Sequence, residues 1–455
     1  MTFWNSALET GSGATYQRLA DAIHTAILDG TLTAGTRLPP HRTLSHELGV
    51  SIGTITRAYE LAARRGDIDA TIGKGTYVRG IEAGAEDDPI NLRINLPADI
   101  GQGMDLANML TRRAAAEFLS YIPFGGSEDH KAAGLAYLKL SGVDDIAGDL
   151  IVTAGGQHAL TTAFLTCTKP GDLILCEPLT FGGFLDLART TDRRITAIPA
   201  DDKGIDASAF EDMCERLKPT AAFLMPTAQN PTGTTLPLDR RHTIASTAVK
   251  HNVTLIEDGV YDPFNPSPLT PLVSLAPEHT YYISSLSKTL VPGLRVGYLA
   301  CPPRMRESAN ELQHLLGMGP ALVMANIATE LADNGAMERL VLAQRTEMAW
   351  RNTLANQALG DIPAKSTVQQ MANRDVAAPH YWLPLPQGWS PDSFVAAAEA
   401  QKILVSPSAH FAVDIATPHV RLALGAAPSR AELEKCLTSL ANLLDRGPPR
   451  TSRSV

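Results

Sequence analysis

Hydrophobic positions recur with two different periods along this chain of 455 residues, and the change of period divides it into two parts. Near the amino terminus, apolar side chains return every three or four positions, which is the spacing of one buried helix face. This spacing predicts three helices, over residues 16–29, 43–48 and 52–65. Gly49 separates the last two helices, as expected for a tight turn.

A short β-hairpin is predicted to follow the third helix. Residues 66–68 and 71–78 have the composition of two short strands around a Gly73-Lys74-Gly75 tip. In the third helix, Ile55, Tyr59 and Ala62 fall on one face and are expected to point inward. Two helices joined by a tight turn form a helix-turn-helix, and the hairpin adds a wing. The first part is therefore predicted to be a winged helix-turn-helix domain.

The second part has a different pattern, in which helical periods alternate with short runs that are apolar throughout. These runs include LIVTAG, LILCEP, AAFLMP, TLIEDG and YYISSL. Strands that are apolar on both faces and separated by helices indicate a mostly parallel sheet with helices on both sides. The predicted fold class is therefore α/β.

The domain organisation follows from these patterns. The stretch between the two parts is rich in Gly, Ala, Asp and Pro and has no apolar period in its first half, so it is predicted to be a linker. The last residues are polar and contain two prolines, so they are expected to be disordered. The predicted boundaries are 1–79 for the winged domain, 80–102 for the linker, 103–446 for the larger domain and 447–455 for the tail.

Charge and composition narrow the class of protein. The net charge is −9, yet residues 1–80 carry eight Lys and Arg against seven Asp and Glu, so the acidity belongs to the larger domain. The winged domain is thus free to present a basic face. The chain lacks both a run of about 18 apolar residues and a signal-peptide pattern. Its five cysteines have no CxxC spacing, which argues against a disulfide framework and a metal site. A cytoplasmic protein is expected.

Polar residues with useful chemistry follow the predicted strands. Ligands of such sheets collect at the carboxyl ends of the strands, so these residues are expected to share one site. A lysine among serines, Ser285-Leu286-Ser287-Lys288, comes after YYIS, and an arginine follows seven residues later. The candidate site residues in the sheet domain are Gly156, Gln157, Asn230, Asp258, Tyr261, Ser285, Ser287, Lys288, Arg295 and Arg421.

Pyridoxal 5'-phosphate is the cofactor whose needs match this set. It requires an amine for an imine bond, a carboxylate at its ring nitrogen, donors for its ring oxygen and several donors for its phosphate. Lys288 would form the Schiff base, and Asp258 would hold the pyridinium. Asn230 and Tyr261 would bind the ring oxygen. The phosphate would be surrounded by Gly156, Gln157, Ser285, Ser287 and Arg295.

Arg421 is predicted to bind the carboxylate of an incoming amino compound, because a guanidinium pairs with a carboxylate through two parallel hydrogen bonds. A buried structural ion pair is the alternative for this residue. His158 and His410 are interpreted as helix or loop residues with satisfied hydrogen bonds rather than acid–base catalysts. No metal is predicted.

The winged domain resembles the DNA-binding domain of GntR-family bacterial transcription regulators. The shared features are Gly35, the run Arg37-Leu38-Pro39, Arg42 and the ending Gly-x-Gly-Thr-x-Val. Ile52 stands where the family often has an arginine, and isoleucine cannot donate to a base edge. The resemblance implies double-stranded operator DNA as a partner. The predicted DNA contacts are Arg42, Ser51, Thr54, Thr56, Arg57 and Lys74, the last near phosphate or the minor groove.

The larger domain resembles the fold type I aminotransferases, through Asn-Pro-Thr-Gly, Asp-x-x-Tyr and Ser-x-Ser-Lys in that order. The resemblance implies a smaller carboxy-terminal subdomain, a site formed at a homodimer interface and an aromatic residue stacked on the cofactor ring. That residue is Phe181, where the family usually has tyrosine. The resemblance also suggests that Tyr121 reaches a phosphate in the neighbouring subunit.

The two parts together are similar to the MocR subfamily of regulators, in which the enzyme fold acts as a sensor. This resemblance implies a pyridoxal phosphate-dependent regulator that senses an amino acid or amine through aldimine exchange at Lys288 and alters promoter binding. Two alternatives stay open. One is a genuine aminotransferase with an appended winged helix, and the other is a regulator that senses pyridoxal phosphate itself.

Overall fold

The computed structural model describes residues 4, 14–28, 31–32, 36–65, 67–71, 75–78, 88–111, 113–144, 146, 150–360 and 376–448. Elements of the amino-terminal part are α1 (Thr15–Leu28), α2 (His41–Leu48), α3 (Ile52–Arg65), β1 (Ile68–Thr71) and β2 (Gly75–Val78). These elements form the predicted winged helix-turn-helix. The inward-facing residues of α3 are buried as predicted, since Ile55, Tyr59 and Ala62 are each at most 4% exposed.

Gly49 makes the turn between α2 and α3. It has φ 65°, a left-handed conformation that glycine adopts without a Cβ clash, and it ends α2 by donating its backbone N–H to the Ser45 carbonyl. The Ser45 hydroxyl donates to the Val50 carbonyl at 2.7 Å, which holds the start of α3 beside the end of α2. The turn thereby sets the angle of α3, the helix predicted to enter the major groove.

The second part is an α/β domain with a smaller carboxy-terminal subdomain. Its elements are β3 (Ile90–Asn91), α4 (Gln102–Leu110), α5 (Glu128–Lys139), β4 (Leu150–Thr153), α6 (Gly156–Cys167), β5 (Leu173–Cys176), α7 (Gly182–Thr190), β6 (Arg194–Ala197), β7 (Ala200–Asp201), β8 (Gly204–Ile205), α8 (Ala207–Leu217), β9 (Ala221–Leu224), α9 (Leu238–His251), β10 (Thr254–Asp258), α10 (Leu272–Leu275), β11 (Thr280–Ser285), β12 (Gly297–Ala300), α11 (Arg306–Gly317), α12 (Leu322–Asp333), α13 (Ala336–Leu359), β13 (His380–Pro384), α14 (Pro391–Glu399), β14 (Ile403–Leu404), β15 (Ser406–Pro407), β16 (His419–Ala423) and α15 (Arg430–Arg446).

The central sheet has the strand order β4-β12-β11-β10-β9-β5-β6. Its strands run parallel except β12, which is antiparallel to both β11 and β4. Consecutive side chains leave opposite faces of a strand. Phe223 therefore packs with Phe164 of α6 on one side, and Leu224 packs with Phe210 of α8 on the other. Both faces are covered, as the uninterrupted apolar runs predict.

Residues 88–98, which the sequence places in the linker, pack against the sheet domain. β3 pairs in parallel with β14, and Leu92 and Ala98 are fully buried. These apolar side chains explain the packing, because leaving them in water would forfeit their burial energy. Residues 80–87, the rest of the predicted linker apart from 99–102, lie outside the described residues.

The smaller subdomain contains a three-stranded sheet of order β13-β16-β15, packed with α14 and α15. In the β13–β16 pair, Trp382 lies opposite Arg421. This register places Arg421 beside the carboxyl ends of the central strands. Within the described part of the chain, no helix is long and apolar enough to cross a membrane.

Candidate functional site

Lys288 and Asp258 lie at the carboxyl ends of adjacent parallel strands. Asp258 ends β10 opposite Ile283 of β11, and Lys288 follows β11 by three residues. Lys288 Nζ donates to the Asn95 carbonyl at 3.0 Å. Burial, together with the nearby Arg421 charge, lowers the pKa of Lys288 to about 8. A lysine with this pKa is neutral, and hence nucleophilic, in a larger fraction of molecules near neutral pH than a surface lysine.

Asp258 is a buried carboxyl group suited to a cationic ring nitrogen. It is 5% exposed, and one of its oxygens accepts the Val260 backbone N–H at 3.3 Å. Burial raises the pKa of Asp258 to about 7. A cation placed against this carboxyl would favour the ionised form, so the pair would stabilise both charges.

A phosphate-sized cradle lies at the start of α6. Gly155 has φ 93°, a backbone conformation that favours glycine, and a Cβ on it would lie 2.6 Å from Arg295 Nη2 and displace this guanidinium. Arg295 Nη1 donates to the Ser287 hydroxyl at 3.3 Å, and the Ser287 N–H donates to the Ser285 hydroxyl at 3.2 Å. The helix N-terminus, two hydroxyls and a guanidinium form an anion site.

Gly156 and Gln157 open α6 beside this cradle. A Cβ on Gly156 would lie 3.4 Å from the Ser285 Cβ, which places the Gly156 backbone against the serine. Gln157 is exposed, and its side-chain oxygen would lie 2.9 Å from a Cβ on Gly183, near Phe181. Six residues predicted to bind the phosphate or to stack on the ring thus lie near the start of α6. They are Gly156, Gln157, Phe181, Ser285, Ser287 and Arg295.

Asn230 and Tyr261 are buried on the other side of Lys288. The Asn230 side-chain oxygen accepts Arg421 Nη1 at 2.8 Å, which leaves the Asn230 amide N–H groups to donate elsewhere. The Tyr261 hydroxyl accepts the Asn95 side-chain N–H at 2.7 Å and keeps its own proton for donation. Both residues can therefore donate to an oxygen anion, as predicted for the cofactor ring oxygen.

Arg421 is a buried cation without a protein counter-charge. It is 6% exposed, it donates to Asn230 and the Arg93 carbonyl, and its guanidinium lies 4.7 Å from the Phe411 ring centroid. Among the residues that the structure describes, no carboxylate lies within ion-pair distance of it, and its Nε has no hydrogen-bond partner. The alternative of a structural ion pair therefore has no partner in the described part of the chain. A buried charge of this kind requires a ligand anion to offset its desolvation.

A cleft with a volume of about 740 Å³ lies beside Arg421. Phe181 and Arg421 line it together with Arg93, His410 and Phe411, whereas Lys288, Asp258 and Arg295 do not. The half-buried Phe181 supplies the aromatic surface predicted to stack on the cofactor ring. The cleft gives a small amino compound room next to the predicted carboxylate ligand.

The two histidines considered in the sequence have different surroundings. His158 Nδ1 accepts the Ala154 N–H at 3.0 Å, and its Nε2 donates to the Gln313 carbonyl at 3.1 Å, which confirms a structural role. Burial lowers the pKa of His158. His410 is exposed at the cleft mouth.

Sequence reasoning missed two residues of the site. Asn95 contacts both Lys288 and Tyr261, and His380 lies 3.1 Å from the Asn95 amide and 3.0 Å from the Gln229 carbonyl. Burial and the Arg421 charge lower the pKa of His380 to about 3, so its ring is neutral at physiological pH. Neither residue belongs to a recognisable local motif, and each reaches the site from a distant part of the chain.

The predicted DNA contacts differ in how far they are exposed. Arg42 and Arg57 are exposed, whereas Thr56 is half-buried and its hydroxyl lies 3.1 Å from His41 Nδ1. Ser51 caps α3, because its hydroxyl accepts the Thr54 N–H at 3.1 Å and lies 2.8 Å from the Thr54 hydroxyl. The arginines are therefore better placed to contact DNA than the three hydroxyls. Lys74 lies outside the described residues, and Ile52 is 48% exposed at the start of α3.

Family comparisons agree with both halves of this description. Residues 87–440 match the family Aminotransferase class I and II, and residues 15–78 match Bacterial regulatory proteins, gntR family. The first match spans more than half of the chain. The protein therefore belongs to the class I and II aminotransferase family and carries a gntR-family domain before it.

Individual relatives have the same two-part architecture. The uncharacterized HTH-type transcriptional regulator YdeF of Bacillus subtilis is 27% identical over 455 residues, which cover 97% of this chain and 97% of YdeF. The probable rhizopine catabolism regulatory protein MocR of Rhizobium meliloti is 24% identical over 359 residues, covering 70% of this chain and 72% of MocR. The predicted MocR-type resemblance is confirmed.

A solved structure confirms the fold of the larger domain. An archaeal alanine:glyoxylate aminotransferase superposes with a TM-score of 0.71 at 21% identity, over 80% of this chain and 92% of the archaeal chain. At this level of identity the comparison establishes the fold alone.

Proposed function

We propose that this protein is a DNA-binding transcriptional regulator that uses pyridoxal 5'-phosphate to sense an amino acid or amine. The amino compound would replace Lys288 on the cofactor by aldimine exchange. The resulting change in the site would alter the binding of the protein to its promoter. The observation that supports this most strongly is that a complete set of cofactor-binding residues and an exposed helix-turn-helix occur in one chain.

The residues present fit the cofactor. Gly155 leaves room at the helix start that a Cβ would fill, and Asp258 is a buried acid at the end of β10. Arg421 is a buried cation whose Nε has no hydrogen-bond partner among the described residues. When bound, pyridoxal phosphate supplies an electron-withdrawing ring. The chain would hold the phosphate at Ser285, Ser287 and Arg295.

Sensing also requires selectivity for the incoming molecule. Arg421 would orient a carboxylate, and the Asn230 oxygen keeps the guanidinium in place. Phe181 would stack on one face of the cofactor ring, without the hydroxyl group that a tyrosine would add. We expect this site to turn over amino compounds more slowly than an aminotransferase does and to stay occupied by them for longer, as a sensor requires.

DNA binding is expected to depend on Arg42. Arg42→Ala should weaken DNA binding broadly and lower the slope of log affinity against log salt by about one unit, because one phosphate contact is lost. The measurement is a fluorescence anisotropy titration at several salt concentrations. Arg216→Ala on α8, which removes an exposed arginine from the larger domain, is the matched control and should leave the slope unchanged. An unchanged slope with altered base preference would make Arg42 a base reader instead.

A homodimer is the expected functional unit. Phe118, Leu119, Tyr121 and Phe124 are 57%, 86%, 79% and 52% exposed, and such a group of large apolar side chains marks an interaction surface. We infer that a second copy covers it and that Tyr121 then reaches the partner's phosphate. Leu119→Glu is expected to shift the protein from dimer to monomer in sedimentation velocity. An unchanged sedimentation coefficient would argue against this surface.

His24 of the winged domain contacts the turn at residues 100–101 of the larger domain. His24 Nδ1 lies 2.8 Å from Asp67, and the ring donates to the Ile100 carbonyl. Gly101 has φ 86°, and a Cβ there would lie 2.7 Å from the His24 ring. Because this contact is close, a movement of the turn at Gly101 would displace α1 of the winged domain.

This contact is expected to depend on pH, because only the protonated His24 ring can donate both to Asp67 of the winged domain and to the Ile100 carbonyl of the larger domain. The hydrogen bond to Asp67 raises the pKa of His24 above 6.5, although burial and Arg65 oppose the shift. The stabilisation is fully present below pH 6.5 and is lost as pH rises through the raised pKa. Small-angle scattering should show a larger radius of gyration above that pKa in the wild type and in His242→Gln, an exposed control. In His24→Gln the radius of gyration should not change over the same pH range. An identical rise in all three proteins would contradict the role of His24 in this contact.

A further inference from the structure

A second cavity lies beside the cofactor cleft and has a different chemistry. It has a volume of about 220 Å³ and is enclosed by the β7–β8 hairpin, the end of β9 and the turn after it, and by Trp382 and His419 of the smaller subdomain. Lys288, Asp258 and Arg295 do not line it. The cavity is therefore separate from the predicted cofactor site.

The walls of this cavity are mainly apolar. Ile205, Leu224, Met225 and Leu236 line it, and each is at most 5% exposed. Trp382 provides a flat aromatic wall and is itself stacked on the His419 ring, with centroids 5.1 Å apart and planes 3° apart. Such a surface favours an apolar molecule with a planar or branched skeleton.

The cavity offers no free charge to a ligand. Its lining residues include no lysine or arginine. Asp201 is bound by Arg240 through contacts of 2.7 and 2.6 Å, and Glu177 accepts the Met225 N–H at 2.6 Å and the Thr180 hydroxyl at 3.2 Å. An anionic ligand would lose hydration without gaining a counter-charge. A cation would meet only Glu177, and burial raises the pKa of that carboxyl group to about 7, so it is neutral in a large fraction of molecules near pH 7. The occupant should therefore be neutral.

Two polar side chains in the wall lack a hydrogen-bond partner in the described part of the chain, at His419 Nδ1 and Thr417 Oγ1. His419 is 3% exposed, and burial lowers its pKa to about 4, so the ring is neutral. Each of the two atoms can exchange a hydrogen bond with a ligand. Buried polar groups of this kind favour a ligand that carries an N–H or O–H.

The cavity shares its walls with the cofactor site. Gln229 lines the cavity, donates to the Leu179 carbonyl at 2.6 Å and immediately precedes Asn230. On the opposite wall, Trp382 is the strand partner of Arg421. An occupant would thus contact the turn that carries one predicted cofactor ligand and the strand that carries the predicted carboxylate ligand.

We propose that this cavity binds a small, neutral, mainly apolar molecule that carries a hydrogen-bonding group, and that its occupancy changes the affinity of the cofactor site for amino compounds. A cavity of 150 Å³ holds a benzene-sized molecule, so this one suits a molecule of roughly ten non-hydrogen atoms. The binding site itself goes beyond the proposed function, whereas the change in amine affinity rests on it.

Indole is a suitable probe, and ligand-observed NMR can measure its binding to the full-length protein loaded with pyridoxal phosphate. Leu236→Phe would fill the cavity and should weaken indole binding about tenfold or more, because an overfilled cavity cannot repack freely. Leu238→Phe is the matched control, since Leu238 is 38% exposed and does not line the cavity. If Leu236→Phe fails to fold, Thr417→Phe fills the same cavity from a half-buried position.

Saturable indole binding by the wild type and the control, with loss in a filled variant, supports the site. No saturable binding, or equal binding by all variants, overturns it. The amine concentration that gives half of the change in imine absorbance should shift about fivefold or more when indole is present. An unchanged concentration would overturn the link between the two sites. DNA binding is measured on the same samples, so failure of the proposed regulatory function is distinguishable from failure of this cavity.

Discussion

Lys288→Ala is expected to abolish the imine absorbance that the wild type acquires with pyridoxal phosphate. Lys288 Nζ is largely buried, 3.0 Å from the Asn95 carbonyl, and burial lowers its pKa to about 8, so it is the amine prepared to react at this site. The measurement is an absorbance titration with the cofactor. Lys169→Ala removes an exposed lysine and should retain the full signal.

The variant should also lose its response to amino compounds. The remaining site residues, among them Asp258 and Arg295, can still hold the cofactor without a covalent bond, so DNA binding should persist but become insensitive to the effector. A Lys288→Ala protein that kept the same imine absorbance would show that another amine forms the bond.

Arg421→Gln is expected to remove the response to amino acids while preserving that to amines without a carboxylate. Removing one partner of a buried, hydrogen-bonded charge pair costs about 2–5 kcal/mol. The amino acid concentration needed for a half-maximal spectral change should therefore rise between roughly 30-fold and 4000-fold. Glutamine keeps a donor that can reach Asn230, which limits the structural disturbance.

The matched control uses the ligand rather than the protein. An amine with the same side chain but no carboxylate should give similar half-maximal concentrations with the wild type and Arg421→Gln. A parallel loss for both ligands would mean that Arg421 acts through Asn230 and the cofactor. An unchanged amino acid response would remove Arg421 from the recognition of the effector.

Local sequence patterns predicted much of the fold. The third helix was predicted over residues 52–65 and spans Ile52–Arg65, since its apolar period is regular and Gly49 fixes the preceding turn. The second helix begins two residues earlier than predicted, at His41, because Pro40 precedes the helix with extended backbone angles and does not interrupt it. The strands of the central sheet were recognisable because each is apolar on both faces.

Long-range contacts were not predictable in the same way. Asn95 lies in a stretch whose composition resembles a linker, yet it bonds Tyr261 across 166 positions of sequence and Lys288 across 193. No local pattern specifies such a pairing. The surroundings of Arg421 were likewise undetermined, because its counter-charge or lack of one depends on which residues the fold brings near it.

The choice between a sensor and an enzyme depends on what the site does when an amino compound arrives. The sensor hypothesis and the enzyme hypothesis both predict an imine at Lys288. A genuine aminotransferase would turn over an amino donor with a 2-oxo acid and would not need the winged domain. A regulator that senses the cofactor itself would change its DNA affinity on binding pyridoxal phosphate, with no amine present.

The most direct test is the affinity of the cofactor-loaded protein for its DNA, measured with and without an amino compound that shifts the imine absorbance. Genomic fragments selected by the purified protein would supply the DNA. We expect the compound to change this affinity by about 5- to 150-fold and to have no effect on Lys288→Ala. Equal affinities with and without the compound, accompanied by steady turnover with a 2-oxo acid, would contradict the account.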